Sequence, residues 1–156
     1  MYIIRAGIGA LGGQLMTTPI CPKCQIESRL TTGKEIYPHR PDLHSRYYYK
    51  CDRCGGYVGC HGTTSNPLGT PADAHLRHAR HVIHSIIDPL WKNQTPKKKA
   101  RGKVYGDLSR KMEIPLSETH VGMFDIERCR QAYRLMKSVS FADIQREFSS
   151  DNGAAQ

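Results

Sequence analysis

The chain has 156 residues, is 38% hydrophobic, and carries a formal net charge of +9 with a sequence pI of about 9.4. No apolar run approaches the roughly eighteen residues that would mark a membrane-spanning helix, so no such helix is expected. The apolar share is low for a large core, and the positive balance favours polyanionic partners, nucleic acid ahead of an anionic membrane.

Residues 1–16 hold one basic residue, Arg5, in a glycine-rich apolar stretch without a convincing small-residue cleavage site. They are expected to form a disordered leader, with Met16 as an alternative start. The chain then reads Cys21-Pro-Lys-Cys24, twenty-six intervening residues, and Cys51-Asp-Arg-Cys54. Two Cys-x-x-Cys knuckles at this separation carry the chemistry of a structural zinc site. Each knuckle delivers two thiolates to one edge of a tetrahedron, and two knuckles close it without an open position for water. Disulfides or redox-active pairs are the alternative. Nothing marks a secreted chain, and no thioredoxin-like βαβ pattern surrounds either pair. Six cysteines, four of them in knuckles, fit a reducing compartment, and a bound metal would compensate for the small core.

Between the knuckles, Gln25–Thr31 alternates, Thr32-Gly33-Lys34 supplies a turn, and Glu35-Ile36-Tyr37 reads as the return strand of a hairpin. Pro38 and Pro41 break that strand. Arg46–Lys50 reads as a strand entering the second knuckle and Tyr57–His61 as the strand leaving it. This is the layout of a zinc ribbon over residues 17–66. Cys60 and His61 raise the number of candidate ligands to six. Either Cys60 is a small buried hydrophobe, or the pair takes part in ligand exchange or a second partial site.

Residues 67–92 are expected to place a helix on the ribbon, with Thr70 as N-cap and Pro71 in the first turn, ending near Ile87 at Asp88-Pro89. Its apolar stripe is Leu76, Ala79, Ile83, Ile86, Ile87 and Leu90. His75, His78, His81 and His84 fan too widely to converge on one ion, with Arg77 and Arg80 flanking them, and read as a solvated basic face. Trp91–Lys111 holds eight cations and one acid, Asp107. Residues 93–102 read as a flexible basic linker, and Lys103–Met112 as a short helix with Val104, Leu108 and Met112 on one side. Asp125 caps a helix over Ile126–Lys137, with Ile126, Cys129, Tyr133 and Met136 as its apolar positions. Ser140 and Asp143 form a capping box for a last helix to about Phe148, closing a small helical unit over 103–148. Residues 149–156 are expected to be a disordered tail. The fold class is thus α+β: a small antiparallel zinc-ribbon sheet, a long helix, and a C-terminal unit of short helices.

The segments CPKC (21–24), EIYPHRPDL (35–43), YYYKCDRCGGYVGCHGTT (47–64), NPLGTPADAHLR (66–77), DPLWK (88–92) and HVGMFDIERCR (120–130) resemble an uncharacterised zinc-finger-containing domain family of bacteria and their phages. The resemblance implies zinc binding through Cys21, Cys24, Cys51 and Cys54. It also implies a phage or prophage setting, and hence the cytoplasm of a bacterial host cell. No activity comes with it.

Three functions follow from the residues. A nucleic-acid-binding module leads, with Arg46, Tyr48, Lys50 and Arg53 on the ribbon and Lys97, Lys98, Lys99, Arg101 and Lys103 in the basic stretch as contacts. Whether the strand is DNA or RNA is not readable. The alternative is an adaptor that docks on a host protein. A metal-assisted nuclease using His39, His61 or His120 ranks third, because Asp42, Asp52, Asp73 and Asp88 form no obvious metal pair. No catalytic residue is assigned.

Overall fold

The structure, a computed structural model, describes residues 18–151. Its N-terminal half is built on a three-stranded antiparallel sheet in the order β1-β2-β3. Strand β1 is Arg29–Thr32, β2 is Tyr47–Lys50 and β3 is Tyr57–Gly59. Arg29 lies opposite Lys50 and Thr32 opposite Tyr47, while Tyr49 lies opposite Val58. Cys60 extends β3 only as an isolated bridge to Pro67.

The hairpin anticipated at Glu35–Tyr37 does not form, because β1 pairs with β2 instead. Residues Gly33–Ile36 make a single helical turn, α1. Two local causes are visible. The Gly33 amide donates to the Arg46 carbonyl at 2.8 Å, and a Cβ at Gly33 would lie 1.8 Å from the Leu43 carbonyl oxygen. Only glycine lets the loop close this tightly. The Glu35 carboxylate then turns back over the sheet, accepting from Arg29 of β1 at 3.0 Å and Lys50 of β2 at 2.9 Å.

Helix α2, Ala74–Lys92, begins on Asp73, whose Oδ1 accepts from the Leu76 amide at 2.9 Å. Thr70, the expected cap, serves other partners: its amide donates to Gly122 O and its own oxygens accept from Arg80. The helix also passes through Pro89 rather than stopping before it. Proline forfeits one helical hydrogen bond on the exposed side. Ile87 is fully buried, and Leu90 and Trp91 pack against the core, so the last turn is held from the inside.

The basic linker shrinks to Asn93–Pro96, because α3 spans Lys97–Met112. Ala100 is 4% exposed, and the Arg101 guanidinium lies 4.5 Å from the Tyr105 ring centroid. Those contacts supply the buried partner that a polar stretch lacks when read alone. Val104, Leu108 and Met112 are buried on the expected side.

Helix α4, Ile126–Met136, starts on the Asp125 cap as expected, with Oδ1 accepting from Arg128 N at 2.8 Å. Cys129 and Met136 face the core, but Tyr133 is 44% exposed and Ala132 is fully buried in its place. Helix α5, Phe141–Asp151, opens with the Ser140–Asp143 capping box and runs past Phe148, so residues 149–151 are helix rather than tail. The expected leader and the rest of the expected tail lie outside the described residues. Helix α2 packs on α3 and α4, and α5 on α3, around Ile83, Ile87, Leu108, Phe124, Met136 and Ile144. The architecture is the expected α+β one, a small antiparallel sheet followed by helices.

Candidate metal centre and basic surface

The two knuckles adopt the same local structure. In the first, the Gln25 amide donates to Cys21 O at 2.8 Å and the Cys21 amide to Ile26 O at 2.9 Å. In the second, the Gly55 amide donates to Cys51 O at 2.8 Å and the Cys51 amide to Gly56 O at 2.7 Å. Each turn closes through a left-handed residue, Gln25 at φ 56° and Gly55 at φ 74°. Glycine takes that conformation without strain.

The four Sγ atoms lie within 4.8 Å of one another, and Cys21 and Cys54 are 3.7 Å apart. A tetrahedron with Zn–S near 2.3 Å has S–S edges of about 3.8 Å, so the donor set has the size and softness for zinc. Cys21 and Cys51 are buried, whereas Cys24 and Cys54 are partly exposed. Desolvation, reinforced by the neighbouring thiols, pushes Cys24 up to about 12. At Cys51, desolvation is outweighed by the backbone amides of Cys54 and Arg53, and the thiol is held down to about 7. The Gly56 amide likewise points at Cys54 Sγ at 3.4 Å. Amides aimed at sulfur are the environment a metal-bound thiolate needs. With four protein ligands the site is closed and structural.

Neighbouring ion pairs tie the knuckles to the fold. Asp52 in the second knuckle accepts two hydrogen bonds from Arg29, both at 2.9 Å. Lys23 in the first reaches Asp73, the cap of α2, at 3.3 Å. Cys60 and His61 stand apart from the four-cysteine group, which is the one group of three or more potential metal ligands among the described residues. Cys60 is a buried thiol, 8% exposed. His61 is exposed and shares a cavity with His120, a proximity that sequence distance hides.

The histidine-rich face of α2 is solvated as expected, but its two arginines are not part of it. The Arg77 guanidinium sits 4.0 Å from the Tyr57 ring centroid and donates to Ala72 O at 2.6 Å. Arg80 is 7% exposed and donates to Phe124 O at 2.8 Å, Thr70 O at 2.7 Å and Thr70 Oγ1 at 2.7 Å. Both arginines join the long helix to its surroundings. The one signal in the helical pattern that sets Arg80 apart from a surface cation is its register on the edge of the apolar stripe.

The basic residues fall into two groups. On the ribbon, Tyr48 is 9% exposed and packs edge-on against Tyr37 and Tyr57, which removes it from any stacking surface. Lys50 is engaged by Glu35. Arg46 and Arg53 are exposed, and Tyr47, at 38%, is the exposed ring of the run. The second group, Lys97, Lys98, Lys99, Arg101 and Lys103, surrounds the start of α3 at the tip of the α2–α3 hairpin. The 19 residues of α2 separate it from the zinc site by about 27 Å at 1.5 Å per residue. Ribbon and basic tip therefore present separate surfaces.

No curated protein and no solved structure matches the chain. A family model described as a zinc-finger-containing domain matches residues 17–139, which include both knuckles, the sheet and helices α2 to α4. The chain belongs to this zinc-finger-containing domain family.

Proposed function

We propose that the protein is a zinc-stabilised nucleic-acid-binding module that grips phosphates with the tip of its α2–α3 hairpin. The observation that carries this reading is the clustering of five cations and no acid in residues 97–103 on the first two turns of one helix. Pro96 offers no side-chain cap there, so the first amides of α3 and its positive dipole end face the same region as the lysines. The zinc ribbon holds the base of α2 through the Tyr57–Ala72 bridge and the Lys23–Asp73 pair, making the hairpin a rigid arm. The likeness of the quoted segments to proteins of bacteria and phages supports a phage or prophage setting within a bacterial cell.

The test is a fluorescence-anisotropy titration of the zinc-loaded chain with labelled DNA and RNA oligomers at several salt concentrations. Binding should weaken steeply with salt. The K97A/K98A/K99A variant should lose about tenfold or more in affinity at low salt, and the log–log salt slope should fall by about two to three. Absence of binding even at low salt would remove this reading.

A second reading, docking on a host protein, has its own observation. Ile20, Leu68 and Met123 are 44%, 53% and 50% exposed, and all three line one 570 Å³ cavity beside His61 and His120. Retention of a host protein after nuclease treatment, lost on Leu68→Asp, would favour it.

A further inference from the structure

The start of α3 and the start of α5 enclose a cavity of 170 Å³. Lys99 and Lys103 form one wall, Phe141 and Gln145 the other, and Gln94 and Thr95 lie at its edge. Each facing pair is four residues apart on its helix, so its side chains leave the same face of that helix. No acidic side chain lines the space. Two lysines across from a phenylalanine and a glutamine suit a ligand with an anionic end and a flat polar body. The cations disfavour a metal ion, and Pro96 and Ala100 complete a lining that is part polar and part apolar.

We infer that this cavity receives one unpaired nucleotide of a bound strand, with its phosphate between Lys99 and Lys103 and its base against the Phe141 ring. The Gln145 amide supplies a donor and an acceptor for the base edge. The inference rests on the nucleic-acid reading above and narrows it to single-stranded DNA or RNA. A base inside a duplex must first be unpaired and unstacked before it can enter, whereas a single strand offers its bases freely and aromatic stacking tolerates any of them.

The test compares 12-nucleotide single strands of DNA and RNA with a duplex of the same sequence, using the full zinc-loaded chain at one salt concentration. Single strands should bind at least about tenfold tighter, a factor within the range that stacking one base on an aromatic ring supplies. A 2-aminopurine placed in the strand should lose fluorescence as it stacks. Phe141→Leu should erase most of the preference while leaving duplex binding unchanged. Because Phe141 also packs partly against the core, Gln145→Ala, at an exposed position, provides a second variant, and melting curves check that both remain folded. Equal binding of single strand and duplex, insensitive to both variants, would overturn the nucleotide site while leaving the lysine-rich tip as a phosphate contact. Should no oligomer bind, the tip reading fails, and the cavity is then judged by NMR with millimolar thymidine or adenosine monophosphate. Unmoved Gln145 side-chain signals in that titration would overturn the site as well.

Discussion

Arg80 shows how much one residue can hold together. Its guanidinium is buried with no carboxylate hydrogen-bonded to it among the described residues, and desolvation lowers its pKa from the ordinary arginine value despite the nearby Asp125 charge. The charge is accommodated because three oxygens on two separate segments accept from it, at Thr70 and Phe124. Those segments are the entry to α2 and the loop before α4, which no secondary-structure hydrogen bond would otherwise tie to the middle of the helix. Arg80→Ala should therefore cost about 3 kcal/mol, because it strands buried acceptors as well as removing charged hydrogen bonds. Arg80→Lys should recover little of this, since an ammonium lacks the planar fork that reaches several acceptors at once. Urea denaturation followed by circular dichroism measures both. A loss within a few tenths of a kcal/mol for Arg80→Ala would mean that the three contacts contribute nothing net.

At the scale of the elements, the starts of α4 and α5 were easier to read than the extents of the longer helices. Asp125 and Ser140 cap α4 and α5 as their sequence signatures predict, because capping depends on residues within one turn. The α5 cap carries a pH signature. The Ser140 hydroxyl and amide, with Arg146 as a further partner, lower the Asp143 carboxyl to about 2. A carboxylate whose folded pKa is depressed stabilises the fold above its unfolded pKa near 3.8, and that contribution is lost as pH falls toward 2. NMR titration should show Asp143 moving back toward its ordinary value in Ser140→Ala, with α5 losing amide protection first. An Asp143 pKa unchanged by that substitution would assign the shift to the Ser140 amide and Arg146 rather than to the hydroxyl. In contrast, α2 and α3 both overran their expected limits. Pro89 and the lysine run are unfavourable or uninformative locally, and burial of Ile87, Ala100 and Val104 outweighs them.

For the whole molecule, the consequence is two centres of stability. The core cluster draws its members from the helices and the adjoining loops and contains no residue of β1, β2 or β3. The sheet, with three short strands, depends on the four-cysteine site at its end. Zinc chelation, or Cys51→Ser, should therefore abolish metal binding and the near-ultraviolet signal of the packed tyrosines Tyr37, Tyr48 and Tyr57. Much of the helical signal at 222 nm should persist. Metal analysis and circular dichroism on one sample would show it, and complete loss of helix on chelation would mean that the helical core cannot stand without the ribbon. The ribbon residues and the lysine-rich stretch, both expected to contact nucleic acid, accordingly lie at opposite ends of α2.

The zinc ligands, the α+β class, the caps of α4 and α5 and most of the apolar stripes were legible in the sequence because each depends on spacing within a turn or on a chemistry specific to cysteine. Two knuckles of fixed spacing have one low-energy way to satisfy a tetrahedral metal, whatever surrounds them. The pairing of β1 with β2, the burial of Tyr48 and Arg80, the helical state of residues 97–102, and the cavities that join His61 to His120 and Lys103 to Phe141 were not. Each results from contacts between residues far apart in the chain, whose energies local propensity does not contain. Only the tertiary structure decided which polar side chains were withdrawn from solvent and which were left to meet a partner.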